Sequence, residues 1–173
     1  DEGRVSAFIQ KKAMQAGVKK SWIYEDKAYT KTPANGNTGN LIITLPGTVK
    51  GPRIMFSAHM DYVEIAKGSR PVIRGKFMYP KGDTALGADD RAGVAALLNT
   101  IVTLLKHKID HPPLTFLFTV QEEIGLFGSR YVEASRLKKP VCCYNFDGHD
   151  PESLILMAPS SAMFTVNIKG HAA

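Results

Sequence analysis

Short apolar runs alternate along the chain with longer stretches in which apolar residues return every three or four positions. The runs Leu41 to Leu45, Ile54 to Ser57, Leu114 to Val120, Val141 to Phe146 and Leu154 to Met157 are nearly continuous rather than alternating. That pattern is expected of strands covered on both faces. Arg91 to about Lys106 instead sets Val94, Leu97, Leu98, Ile101, Leu104 and Leu105 on one stripe, which predicts a long amphipathic helix. Val5, Phe8, Ile9 and Met14 predict a first helix over residues 4–16 ending at Gly17, and Ser129 to Leu137 reads as a further helix. Trp22 to Tyr29 reads as a strand, and the turn-rich segment 32–40 as a loop. Strands alternating with helices predict an α/β fold, a three-layer sandwich of helices around a mixed, largely parallel β-sheet. Phe164 to Lys169 alternates apolar and polar residues and predicts a strand leading into a second domain, so residues 1–160 are expected to form one domain and 161–173 to begin another.

Composition narrows this picture. The chain has 173 residues, 44% of them hydrophobic, enough for one domain with a real core. No run approaches the ~18 apolar residues a membrane helix needs, and Asp1-Glu2-Gly3-Arg4 lacks the layout of a signal peptide. The start without Met and the bare ending at Lys169-Gly170-His171-Ala172-Ala173 predict a chain cut at both ends. A formal net charge of +6 comes from scattered pairs such as Lys11-Lys12, Lys19-Lys20 and Lys138-Lys139. Without a basic run or interleaved aromatic residues, this argues for a solvated surface and against nucleic acid. Cys142 and Cys143 are adjacent, a spacing that disfavours a mutual disulfide, so both are expected to be reduced core residues of a cytoplasmic protein.

Four clusters of acidic or histidine residues fall directly after predicted strands or at the start of the long helix, where a doubly covered sheet opens its loop ends. Ser57-Ala58-His59-Met60-Asp61 places His59 and Asp61 two residues apart in extended chain, on one side, so that Asp61 can fix the ring while its other nitrogen holds a metal. Gly87-Ala88-Asp89-Asp90-Arg91-Ala92-Gly93 opens the long helix, where acidic residues also serve as plain caps. Glu122 and Glu123 stand between the most apolar run and a Gly-containing turn, and adjacent carboxylates there suit a division of labour, one holding a cation and its neighbour activating a water. Asn145-Phe146-Asp147-Gly148-His149-Asp150 supplies further ligands. Taken singly, each cluster has an ordinary structural explanation. Together, one imidazole and several carboxylates form a mixed N/O set suited to zinc or a similar divalent ion.

In this order and from about Gly39 onward, the motifs resemble the peptidase T-like branch of the di-zinc exopeptidase superfamily, which includes peptidase T, carboxypeptidase G and succinyl-diaminopimelate desuccinylase. The resemblance implies that His59, Asp89, Glu123 and Asp147 are metal ligands, with Asp89 bridging two zinc ions, for which cobalt or manganese can substitute. It implies Glu122 as general base, Asp61 as the residue orienting His59, and a cis bond between Asp89 and Asp90. The implied activity is hydrolysis of amide bonds in short peptides without a covalent intermediate, with N-acyl amino acids as the alternative substrates and a metal-stabilised, non-catalytic module as the alternative to an enzyme. It also implies an inserted lid domain beyond residue 160, through which a homodimer can form, and a further metal-binding His near the C-terminus of a longer protein. Neither His149 nor His171 is assigned that role. The isolated chain is therefore expected to show little activity. Two positions depart from the branch: Arg91 stands where Lys is usual, and Tyr62 where Thr is usual. A rival family of cocatalytic aminopeptidases also uses Asp-Asp-Arg and Glu-Glu-x-Gly motifs, but the 30 residues from His59 to Asp89 leave no room for the β domain those enzymes insert there.

Overall fold

The computed structural model describes residues 2–148, 150, 152–157, 164 and 166–170. Two long helices, α1 (Glu2–Gln15) and α2 (Arg91–Lys106), pack against a five-stranded mixed sheet. Its strands are β1 (Ile23–Glu25), β2 (Leu41–Leu45), β3 (Ile54–His59), β6 (Leu114–Thr119) and β7 (Cys142–Asn145), in the order β1-β2-β6-β3-β7. The pairs β1/β2 and β2/β6 are antiparallel, whereas β6, β3 and β7 run parallel. A parallel pair needs a crossover, and α2 supplies it between β3 and β6.

Side-chain alternation distributes the central strands over two layers. Leu41, Ile43 and Leu45 of β2 stand opposite Phe118, Phe116 and Leu114 of β6 and join Ile9 and Ala13 of α1 and Leu97 and Ile101 of α2 in the core. Burying each large side chain contributes about 1.5–3 kcal/mol. The other face of the same strands, Ile42 opposite Leu117, is also buried. There a 3-10 turn, Ala134–Leu137, lies over the sheet, and Thr115 Oγ1 donates to Leu137 O at 3.0 Å. Across β6, β3 and β7, Phe56 stacks with Tyr144 at 5.9 Å and meets Phe116 at 5.6 Å.

Several elements differ from the sequence pattern. The first strand is confined to Ile23–Glu25 because the Asp26 carboxylate accepts the Ala28 N–H at 2.9 Å, turning the chain into a 3-10 turn over Ala28–Lys31. The helix expected over Ser129 to Leu137 is split into α3 (Phe127–Arg130) and the 3-10 turn, and between them the Glu133 N–H donates to the buried Asp26 Oδ2 at 3.3 Å instead of to a helical carbonyl. A hairpin, β4 (Pro71–Arg74) with β5 (Phe77–Pro80), is not among the predicted elements; it turns through Gly75 at φ +61°. Leu154 to Met157 form no strand and are exposed. Nor do the described residues of 164–169 form one. Cys142 and Cys143 are free, as expected, but exposed rather than in the core, because β7 is the edge strand with β3 as its sheet neighbour.

Candidate metal centre

The three parallel strands end on the same side of the sheet, and their C-terminal ends, with the start of α2, carry the four clusters. His59, the last residue of β3, is 2% exposed, and its two ring nitrogens face different carboxylates. Nδ1 lies 3.1 Å from Asp61 Oδ1, and Nε2 lies 3.0 Å from Asp89 Oδ1, 3.7 Å from Asp147 Oδ1 and 4.0 Å from Glu122 Oε2. Asp61 also accepts the Glu122 N–H through Oδ1 and the Glu123 N–H through Oδ2, each at 3.0 Å. One carboxylate thus orients the imidazole and aligns the two glutamates.

The bond between Asp89 and Asp90 is cis, as the motif implied, and its two carboxylates part company. Asp89 is 58% exposed and reaches the imidazole. Asp90 is buried, accepting the His59 N–H at 3.1 Å through Oδ2 and the Gly93 N–H at 3.1 Å through Oδ1. It caps α2 and ties that helix to the end of β3. The two departures from the branch pattern touch each other: the Arg91 guanidinium lies 4.4 Å from the centre of the Tyr62 ring and donates to Gly87 O at 2.9 Å.

Every site residue singled out in the sequence, His59, Asp61, Asp89, Glu122, Glu123 and Asp147, meets in this one place. Among the described residues, two groups of three offer ligand atoms within 4.8 Å of one another: His59, Asp89 and Asp147, and His59, Glu122 and Glu123. His149 and His171 lie outside the described residues. The electrostatics fit a cation. Burial works against charge on His59, yet Asp61, Asp89 and Asp147 outweigh it and push the imidazole up to about 9. Burial raises Glu122 and Glu123, and neighbouring carboxylates add to the rise in both. Asp61, despite its burial, is held below its ordinary value by His59 and the two backbone N–H groups. Asp90 is pushed up to about 7, chiefly by burial. Crowded carboxylates around one imidazole, in an N/O donor set, are the chemistry zinc accepts. Sequence reading did not find Glu2, Asp26 or Asn40, whose side chains brace the loop carrying Glu122. The contacts that link them to the loop and to one another span 14 to 119 residues, and no local pattern announces them.

A mixed sheet with these carboxylates and one histidine at its parallel strand ends has the architecture of a zinc-exopeptidase catalytic domain. The chain belongs to peptidase family M28, whose sequence model matches residues 40–168. Along 99% of its length it is 33% identical to the uncharacterized protein YqjE of Bacillus subtilis. The crystal structure of aminopeptidase PepT from Bacillus cereus superposes on 85% of the chain with a TM-score of 0.76 and 34% identity. That of a tripeptidase from Staphylococcus aureus covers 83% with a TM-score of 0.75 and 31% identity. The chain spans 45% of the Bacillus subtilis relative and 38% and 37% of the two crystallised chains.

Proposed function

We propose that this chain is the metal-binding part of an exopeptidase that hydrolyses amide bonds in short peptides with two zinc ions and a glutamate base. The observation that carries the reading is the placement of Glu122. It stands beside an imidazole and carboxylates sufficient to hold a cation, 4.0 Å from His59 Nε2, with its backbone N–H fixed by Asp61. A binding module needs no such extra carboxylate. In the reading, His59, Asp89 and Asp147 would hold one ion, and Asp89 with Glu123 would contribute to the second. Bound zinc supplies Lewis acidity, making a water acidic near neutral pH and polarising a carbonyl. Glu122 takes the proton from the attacking water and returns it to the leaving amine, a role its raised affinity for protons suits. Asp61 keeps the His59 Nδ1 side engaged so that Nε2 faces the cation.

We read residues 1–160 as the catalytic part and 161–173 as the beginning of a lid, which in the longer protein also offers a dimer contact. The protein is read as cytoplasmic, in keeping with its free cysteines. Among the described residues no helix is long and apolar enough to cross a membrane. The test is hydrolysis of a peptide and N-acyl amino acid panel by the complete polypeptide, before and after chelation and after zinc is restored. The reading expects cleavage of short peptides that vanishes on chelation and returns with zinc. Cleavage indifferent to chelation would overturn it.

A further inference from the structure

The loop that presents Glu122 and Glu123 leaves β6 through four successive backbone N–H groups, and each is received by a side chain from a distant part of the sequence. Val120 N–H donates to Asn40 Oδ1 at 3.1 Å, and Gln121 N–H to Glu2 Oε1 at 2.8 Å. Glu122 and Glu123 N–H donate to the two oxygens of Asp61. The loop closes on itself at Gly128, whose N–H donates to Val120 O at 2.9 Å, and Asn40 Nδ2 donates to Gly128 O, also at 2.9 Å. Asn40 therefore grips both ends of the loop. Its amide has one usable orientation, because Nδ2 also donates to Asp26 Oδ2 at 2.8 Å and Asn40 is 0% exposed. The fit at the base is tight: a Cβ on Gly128 would lie 2.6 Å from Asn40 Oδ1 and 2.1 Å from Val120 O. Gln121 meanwhile adopts φ +53°, a left-handed conformation that a non-glycine residue keeps only where its surroundings enforce it.

We propose that Asn40 and Glu2 are positioning residues for the Glu122 and Glu123 pair: Asn40 fixes the base of the loop, and the first-turn carboxylate of α1 fixes its entry at Gln121. The proposal rests on the reading that Glu123 holds a cation and Glu122 moves a proton. Hydrogen bonding alone, not the charge of Glu2, does the work, so an amide oxygen should replace its carboxylate.

Amide hydrogen exchange and cobalt titration of the complete polypeptide, wild type and variants, test this. In E2A, exchange at Gln121 to Glu123 should accelerate while Leu114 to Thr119 in β6 is unchanged, and one of the two cobalt equivalents, the one Glu123 would hold, should lose about tenfold in affinity with the other unaffected. E2Q should restore both readings, since its amide oxygen accepts the same N–H. N40A should add Val120 to the accelerated amides. The proposal is overturned if E2A leaves loop exchange and both cobalt equivalents as in wild type, if E2Q behaves like E2A, or if β6 and both cobalt equivalents shift together, which would mark general destabilisation. A wild-type protein that takes up no cobalt would refute the functional reading, and the exchange arm would still decide the role of Glu2 and Asn40.

Discussion

Asp61 concentrates three tasks in one carboxylate: it faces His59 Nδ1 and receives the N–H groups of both glutamates. An amide in its place keeps one acceptor and turns the other into a donor, so D61N must lose a loop N–H or the imidazole. Zinc affinity measured by calorimetry should fall about 10–100-fold, with the thermal unfolding transition retained. Unchanged affinity would reduce Asp61 to a loop cap. His59 adds a pH dependence of defined sign. Its proton, held up to about 9 by Asp61, Asp89 and Asp147, has to leave before an imidazole nitrogen can bind a metal. Affinity for the ion assigned to His59 should therefore rise by about tenfold per pH unit below about 9 and level off above it, the release of the imidazolium proton as that ion binds. Affinity that declines over the same range would contradict the assignment of His59 as a ligand.

At the scale of elements, α2 is the piece whose sequence and structure agree most closely, because its stripe of Val94, Leu97 and Ile101 is what the sheet buries. Leu97 is 2% exposed, and L97A should cost about 2–5 kcal/mol in a denaturant titration. A loss below 1 kcal/mol would mean that the helix is not anchored where the core places it. Strands β2 and β6 were legible for a related reason: both faces are covered, so their apolar runs are unbroken. Leu154 to Met157 carries the same local signal without the partner, and a run of apolar residues alone cannot say whether a neighbouring strand is at hand. The split of the expected helix after Arg130 was not legible, because it depends on Asp26 reaching the Glu133 N–H across 107 positions. The hairpin at Gly75 does carry a local signal, a two-residue turn between apolar segments, but each segment is only four residues long. The site itself was readable since its residues sit at element ends with fixed spacing. The bracing by Glu2 and Asn40 was not, being made wholly of long-range contacts.

The chain carries a formal net charge of +6, yet Asp61, Asp89, Glu122, Glu123 and Asp147 gather around His59 at one end of the sheet. Both candidate cation groups among the described residues rely on His59, whose Nδ1 is engaged by Asp61, so its one remaining ring nitrogen can serve a single ion and the proposed second ion is left without an imidazole. Zinc titration of this chain by itself should show one tighter and one much weaker equivalent, and its peptidase activity should stay near background, because the second ion draws only on Asp89 and Glu123. Two equally tight equivalents would show that a further ligand lies within these residues. The most direct test of the account falls on Glu122 in the complete polypeptide, where E122Q preserves the shape of the side chain but cannot take up a proton. Zinc content and the rate of short-peptide hydrolysis, measured together, should show metal retained and turnover reduced by roughly 10²–10⁴-fold. Turnover equal to wild type with zinc in place would contradict the assignment of Glu122 as the base and, with it, the mechanism proposed for this site.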